Sequence, residues 1–122
     1  MTLTNTGFAG VAVLVGTYDY IAVGTGTTEA EATDTALETE SAATGMARAQ
    51  GTVTQVTTTV TNDTSNVVLT MTNSSGGTVA VTEYGLFADA SGGIMLDRQV
   101  DSAVNVAGGN SLQVTYKTKI SA

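Results

Sequence analysis

The chain contains no histidine, no cysteine, no tryptophan and no proline. Without histidine or cysteine, neither a Ser-His nor a Cys-His nucleophilic couple can be assembled. The lack of cysteine also removes disulfides and thiolate metal sites, so the sequence carries no redox signature. Aromatic residues are limited to four tyrosines and two phenylalanines. The core must therefore be built from Val, Leu, Ile, Ala and Met, which bury less area per side chain than aromatic rings. Bases are scarce: Arg48, Arg98, Lys117 and Lys119 stand against eleven acids, a net charge of −7. Nucleic-acid backbones are held by clustered Lys and Arg, so no nucleic-acid partner is expected. The apolar run Phe8 to Val15 is far too short to span a bilayer, and no basic segment precedes it as in a secretory signal. The expectation is no membrane partner, and synthesis in a cytoplasm without classical export.

What the chain has in abundance is threonine and valine, alternating through most of its length. β-Branched residues at every second position specify strands with one buried and one wet face. A length of 122 residues suits one domain, 1–122, with a single sandwich core. The modest core makes self-association, as a dimer or trimer, a further expectation.

Gly7 to Gly16 reads as a buried strand bounded by glycines, after a short polar arm over 1–6. Tyr18 to Val23 reads as a second strand closed by Gly24-Thr25-Gly26. Then the composition shifts, with Glu29, Glu31, Asp34, Glu38 and Glu40 falling among Ala and Thr over 27–49. This segment is expected to be a long acidic surface loop. Asp34 or Thr35 is placed to cap a short helical turn through Ala36, Leu37 and Glu38. Such a segment is polar enough to be poorly ordered alone and to order on contact.

From Thr52 onward strands dominate. Val53 and Val56 differ in parity, which predicts a bulge or break near Gln55. Val79 and Val81 likewise differ in parity from Tyr84 and Leu86, which predicts a bulge near Thr82 and Glu83 that Gly85 would permit. Turns are expected at 62–66, 73–77, 91–93 and 107–110. Leu112, Val114, Tyr116 and Ile120 share one face of the last strand, with Gln113, Thr115, Lys117 and Lys119 on the other. The predicted fold is all-β: an antiparallel sandwich, jelly-roll-like or immunoglobulin-like, of seven or eight strands with one long acidic loop.

The constellations that could carry chemistry are few. Glu83 with Asp97 or Asp101 forms a candidate carboxylate pair for glycoside chemistry. Pairing of Asp97 and Asp101 with Arg98, or their simple solvation, is the preferred reading. Gly24-Thr25-Gly26 lacks the third glycine and the βαβ context of a dinucleotide fingerprint, and reads as a tight turn exploiting positive φ. The acid cluster lacks the spacing of a helix-loop-helix calcium site. Tyr84 and Phe87 read as core residues on either side of a bulged strand, and Met46, Met71 and Met95 as gap-fillers. No enzyme activity and no cofactor are expected.

Tyr20 to Thr28, Asp34 to Glu40, Met46-Ala47-Arg48, Val81 to Phe87, Gly93 to Arg98, Val104-Asn105 and Ser111 to Tyr116 form an ordered set of short segments. Together they resemble a group of small structural proteins of tailed bacteriophages. The resemblance implies a virion component without catalytic residues. For a free-standing domain it implies a head decoration, or cement, protein on the capsid surface, bound between major capsid protein subunits and assembled in the host cytoplasm. Tail or fibre proteins of the same group are the alternative placement. A carbohydrate-binding or calcium-dependent adhesion module is a second alternative, from a different class. The loop residues Glu29, Glu31, Asp34, Leu37, Glu38, Glu40, Met46 and Arg48 are the candidate partner contacts.

Overall fold

The computed structural model describes residues 1–121 and folds as a sandwich of two antiparallel sheets closed at one end by a short helix. The elements are α1 (Asn5–Val15), β1 (Tyr20–Gly24), β2 (Ala49–Gln50), β3 (Thr52–Val56), β4 (Thr64–Thr72), β5 (Val79–Phe87), β6 (Met95–Val106) and β7 (Ser111–Lys119). One sheet runs β2-β1-β5-β6 and the other β3-β4-β7. The chain passes between sheets at Gly51, where an added Cβ would lie 2.7 Å from Val67. That crossing joins β2 to β3 and covers one side of the sandwich. The opposite side is bordered by β6 and β7, the outer strands of their sheets.

Ile21, Val23, Met46, Val67, Met71, Val81, Leu86, Val106, Val114 and Tyr116 fill the space between the sheets. This is the expected Val, Leu and Met core, with Met46 and Met71 buried and Met95 half-buried. β7 pairs with β4 over nine residues without a break, and its inward face carries Leu112, Val114 and Tyr116 as the alternation predicts. The predicted bulge is present: the β5–β6 register shifts between Val81 and Glu83. Because of it, Val79, Val81, Tyr84 and Leu86 all belong to the inter-sheet core, whereas Glu83 and Phe87 face outward. β3 keeps regular register through Val56 and then leaves the sheet, a break instead of a bulge.

Four expectations are corrected. The segment over 7–16 is helical, not a strand. Thr4 caps it, its Oγ1 accepting from the Gly7 N–H at 3.1 Å, so Asn5 and Thr6 belong to the first turn and not to a free arm. Phe8, Val11, Ala12 and Val15 are its protected positions, while Val13 and Leu14 stay exposed. This i, i+3, i+4, i+7 spacing fits a helix packed on one side as well as the run of apolar residues fits a strand. Gln55 donates to the Ala9 carbonyl at 2.9 Å, and Val53 lies against Gly16. Both β3 residues share the core side with their register partners Ser65 and Val67, so α1 seals the core at one end of the second sheet.

The second correction is the turn at 62–66, which belongs to the strand from Thr64 on. The chain reverses earlier, around Asp63. The Asp63 carboxylate accepts from the backbone N–H groups of Thr58, Thr59 and Val60, and these hold its titration far below the ordinary range. Third, no helical turn forms at 36–38. Fourth, Gly24 and Gly26 do not adopt positive φ, and Gly85 lies in regular register between two irregularities of the β5–β6 ladder, one between Val81 and Glu83 and one between Leu86 and Phe87. Each is needed for space. An added Cβ at either Gly24 or Gly26 would lie 2.5 Å from Glu83 Oε2, and one at Gly85 would lie 2.9 Å from Leu37.

Two glycines of equal backbone type separate strain from crowding. Gly45 (φ +84°) faces the Thr72 carbonyl, whereas Gly76 (φ +80°) faces open space. Gly76→Ala should cost about 1–2 kcal/mol from left-handed backbone strain alone. Gly45→Ala should cost at least ~1 kcal/mol more, because an L side chain there also displaces a backbone carbonyl. Urea unfolding of the two variants gives the comparison, and equal losses would contradict it.

Candidate functional site

The bulge at Thr82 puts the Glu83 carboxylate on the outer face of the first sheet, beneath the acidic segment. Glu83 is fully buried. Its Oε1 accepts from the Glu38 N–H at 2.8 Å and Arg98 Nε at 3.1 Å, and its Oε2 from the N–H groups of Gly26 at 2.8 Å and Thr39 at 2.7 Å. Burial works to raise the Glu83 pKa, but the three N–H groups and the guanidinium outweigh it and hold the carboxyl below its usual range. Thr82 donates to the Gly26 carbonyl at 2.6 Å, so both bulge residues grip the same loop.

Arg98, beside Gly85 on β6, spreads the network. It donates to Asp34 Oδ2 at 2.8 Å and to the Thr28 carbonyl at 2.9 Å. Asp34 also accepts from the Glu31 N–H, which with Arg98 depresses its pKa. Glu38 accepts from the Thr28 hydroxyl and from the N–H groups of Thr28 and Thr27, and is depressed for that reason. Leu37 is buried against Ala22 and Phe87. The Arg48 guanidinium stacks 3.5 Å over the Phe87 ring, pairs with both Glu40 oxygens and donates to the carbonyls of Asp89 and Gly92.

The structure thus places the candidate contacts in two groups. Asp34, Glu38, Glu40 and Arg48 are engaged in the loop's own bonding, and Leu37 and Met46 are buried. Glu29 and Glu31 remain as exposed acids on its surface. The segment expected to be poorly ordered alone is tied down along most of its length. Glu83 is buried and paired with Arg98, whose second acid is Asp34; Asp97 and Asp101, expected to pair with Arg98 or to stay solvated, make no ion pair among the described residues. Among the described residues, no group of three or more carboxylates is placed to hold a cation.

Sequence reasoning missed a groove of about 810 Å³ between β6 and β7. It is lined by Tyr84, Leu96, Val104, Leu112, Val114 and Tyr116, with Asp97, Lys117 and Lys119 at its margins. The Tyr116 hydroxyl is buried, and that burial, with the Asp97 carboxylate beside it, pushes its pKa up. The sequence signal for this groove was present in the alternation of the last strand, but nothing local shows that the strand has a free edge. The sequence matches no protein-family model, and no curated protein matches it.

Glu83→Gln should destabilise the fold by roughly 3–5 kcal/mol in chemical denaturation, because it leaves Arg98 buried beside a neutral amide. Limited proteolysis within 27–48 should accelerate with it. A loss below ~1 kcal/mol would show that the pair does not hold the loop. Acid dependence follows from the same groups. Carboxyls depressed in the folded state stabilise it above their unfolded pKa, and that stability is lost as pH falls through their folded pKa. From ordinary values of 3.8 for Asp and 4.5 for Glu, the melting temperature should hold level from neutrality to about pH 5 and fall steeply below about 4. A melting temperature that rises on acidification would contradict this.

Proposed function

We propose that this chain is a non-enzymatic structural protein of a tailed-bacteriophage particle, a head decoration protein that seats between major capsid protein subunits. The observation that carries the reading is the pinned acidic shoulder. A 23-residue segment without regular structure over most of its length is held on the sheet by a buried carboxylate and two guanidiniums. A docking element held in one conformation pays little ordering entropy when it binds. Its exposed acids, Glu29 and Glu31, give it a charge that a basic patch on a lattice would recognise.

Two further features support the reading. The motifs that resemble phage structural proteins include the residues of this shoulder: Gly24, Gly26, Leu37, Glu38, Glu40, Arg48, Glu83 and Arg98. In addition, no charged residue occurs before Asp19, and α1 exposes Val13 and Leu14. That leaves an uncharged apolar surface at one end of the sandwich, suited to protein contacts.

The test is addition of the purified protein to phage heads lacking it, followed by sedimentation and mass spectrometry. Saturable binding in a fixed ratio to the major capsid protein, with heads made more resistant to heat, is the expected result. Charge reversal at Glu29 and Glu31 should weaken that binding about tenfold or more without moving the protein's own melting temperature. Binding confined to tails in immunogold micrographs, or to neither part, would reject placement on the head.

A further inference from the structure

The acidic segment closes on itself at a neck. There the Thr25 N–H donates to the Thr39 carbonyl at 3.0 Å, and the Ser41 N–H to the Val23 carbonyl at 2.8 Å. Residues 26–38 project from this neck as a lobe with its ends together, in the manner of an Ω-loop. The lobe is braced from within. Glu38 accepts from the N–H groups of Thr27 and Thr28, and Asp34 from that of Glu31. Its hold on the sheet is of another kind. Leu37 is its one large apolar side chain, packed with Ala22 and Phe87. The other ties are polar. Glu83 accepts from Gly26, Glu38 and, at the neck, Thr39. Thr82 donates to the Gly26 carbonyl, and Arg98 to Asp34 and the carbonyls of Thr28 and Glu29. A lobe that is internally rigid, joined at one neck and held down by ionised groups is a separate unit of stability.

We propose that residues 26–38 are a lid that opens about its neck on acidification while the sandwich stays folded. The charged groups facing Glu83 are Arg98 from β6 and Asp34 and Glu38 from the lobe, while β1 meets it with Gly24. Glu29 and Glu31 are exposed, and Glu40 pairs with Arg48 beside the neck. Protonating Glu83 weakens its hold on three N–H groups and leaves Arg98 buried against a neutral acid, so several ties fail together. Glu83, Asp34 and Glu38 all titrate below their ordinary range with the lid shut. Closure is therefore complete above about pH 5 and is lost as pH falls through their folded values. The core between the sheets contains none of these groups. Asp63, the other fully buried acid, braces a different turn and stays ionised far below the ordinary carboxylate range. Opening uncovers an apolar shelf on the outer face of the first sheet, formed by Ala22 and Phe87 with Tyr20 and Met95. Arg48 stacks on the Phe87 ring, and Arg98 stands opposite Gly85 on the same face, so the shelf suits an aromatic anion. Docking through Glu29 and Glu31 does not require the lid to move, so a lid that never opens leaves the decoration reading intact.

Hydrogen exchange on the unaltered protein, from about pH 7 to about pH 2.5 and corrected for intrinsic rates, tests the lid directly. Amides of Gly26, Glu38 and Thr39 should lose protection about tenfold or more at a pH where those of β4 and β7 keep theirs. Fluorescence of the dye anilinonaphthalene sulfonate, an aromatic anion, should rise over the same interval. Leu37→Ala removes the apolar anchor and should move lid opening up by about one pH unit, with β4 and β7 unchanged. Glu83→Gln should leave the lid open at neutral pH. If that variant does not fold, exchange in the unaltered protein and in Leu37→Ala decides the matter. Loss of protection in lid and sheets together, a lid still protected at the lowest pH, or opening at an unchanged pH in Leu37→Ala would each overturn the proposal. So would an opened lid without dye binding, or a folded Glu83→Gln protein whose lid stays shut.

Discussion

A single buried carboxylate organises the outer half of this molecule. Removing Glu83 from water is costly, and the cost is offset only because four donors converge on it, three backbone N–H groups and one guanidinium. Three of those donors come from the chain that the carboxylate holds against the sheet, and the fourth from the neighbouring strand β6. The N–H groups of Gly26, Glu38 and Thr39 belong to the acidic loop, and Arg98 carries the bonding on to Asp34 and Thr28. The bulge at Thr82 is a precondition, since without it Glu83 would point into the Val and Leu core. The glycines at 24, 26 and 85 are preconditions of the same kind, because any side chain there would hold the loop away from the sheet. Bulge, glycines, carboxylate and guanidinium thus make one device.

The consequence reaches the surface. A chain with only four bases places both of its arginines in internal ion pairs, one under the loop and one clamped over Phe87 between Glu40 and the β5–β6 turn. Planar guanidiniums suit that work, since they satisfy several acceptors at once and stack on a ring. The lysines are left on one strand edge, and apart from the buried Asp63 the remaining acids lie at the surface. Surface character therefore varies sharply around the sandwich: an uncharged apolar helix at one end, a fixed acidic shoulder on one face, and a groove between β6 and β7. Such a body presents contact surfaces of distinct chemistry in fixed relation to one another.

Much of the sandwich was legible. The parity change between Val81 and Tyr84 located the bulge, because a strand cannot bury residues of both parities on one side without an extra residue. The alternation over Leu112 to Tyr116 identified the inward face of β7 for the same reason. The segment before Tyr18 was misread because Phe8 to Val15 satisfies two periods at once, and a Thr cap at Thr4 is a weak local signal. The loop was misjudged more deeply. Its composition is that of a solvated, mobile stretch, which predicts acids that face outward. Asp34, Glu38 and Glu40 are instead acceptors for N–H, hydroxyl and guanidinium groups supplied both by the loop itself and by a strand far along the chain.

By itself the sequence determined the all-β body, the strand faces, the main turns and the scarcity of reactive groups, because alternation, glycine placement and composition act over a few neighbouring residues. Only the tertiary structure decided that Glu83 and Arg98 clasp the loop, that three glycines are there for room and not for φ, and that β6 and β7 end their sheets with free edges. Those outcomes depend on which distant segments meet, and a buried charge is tolerable only where partners remote in sequence arrive together to satisfy it.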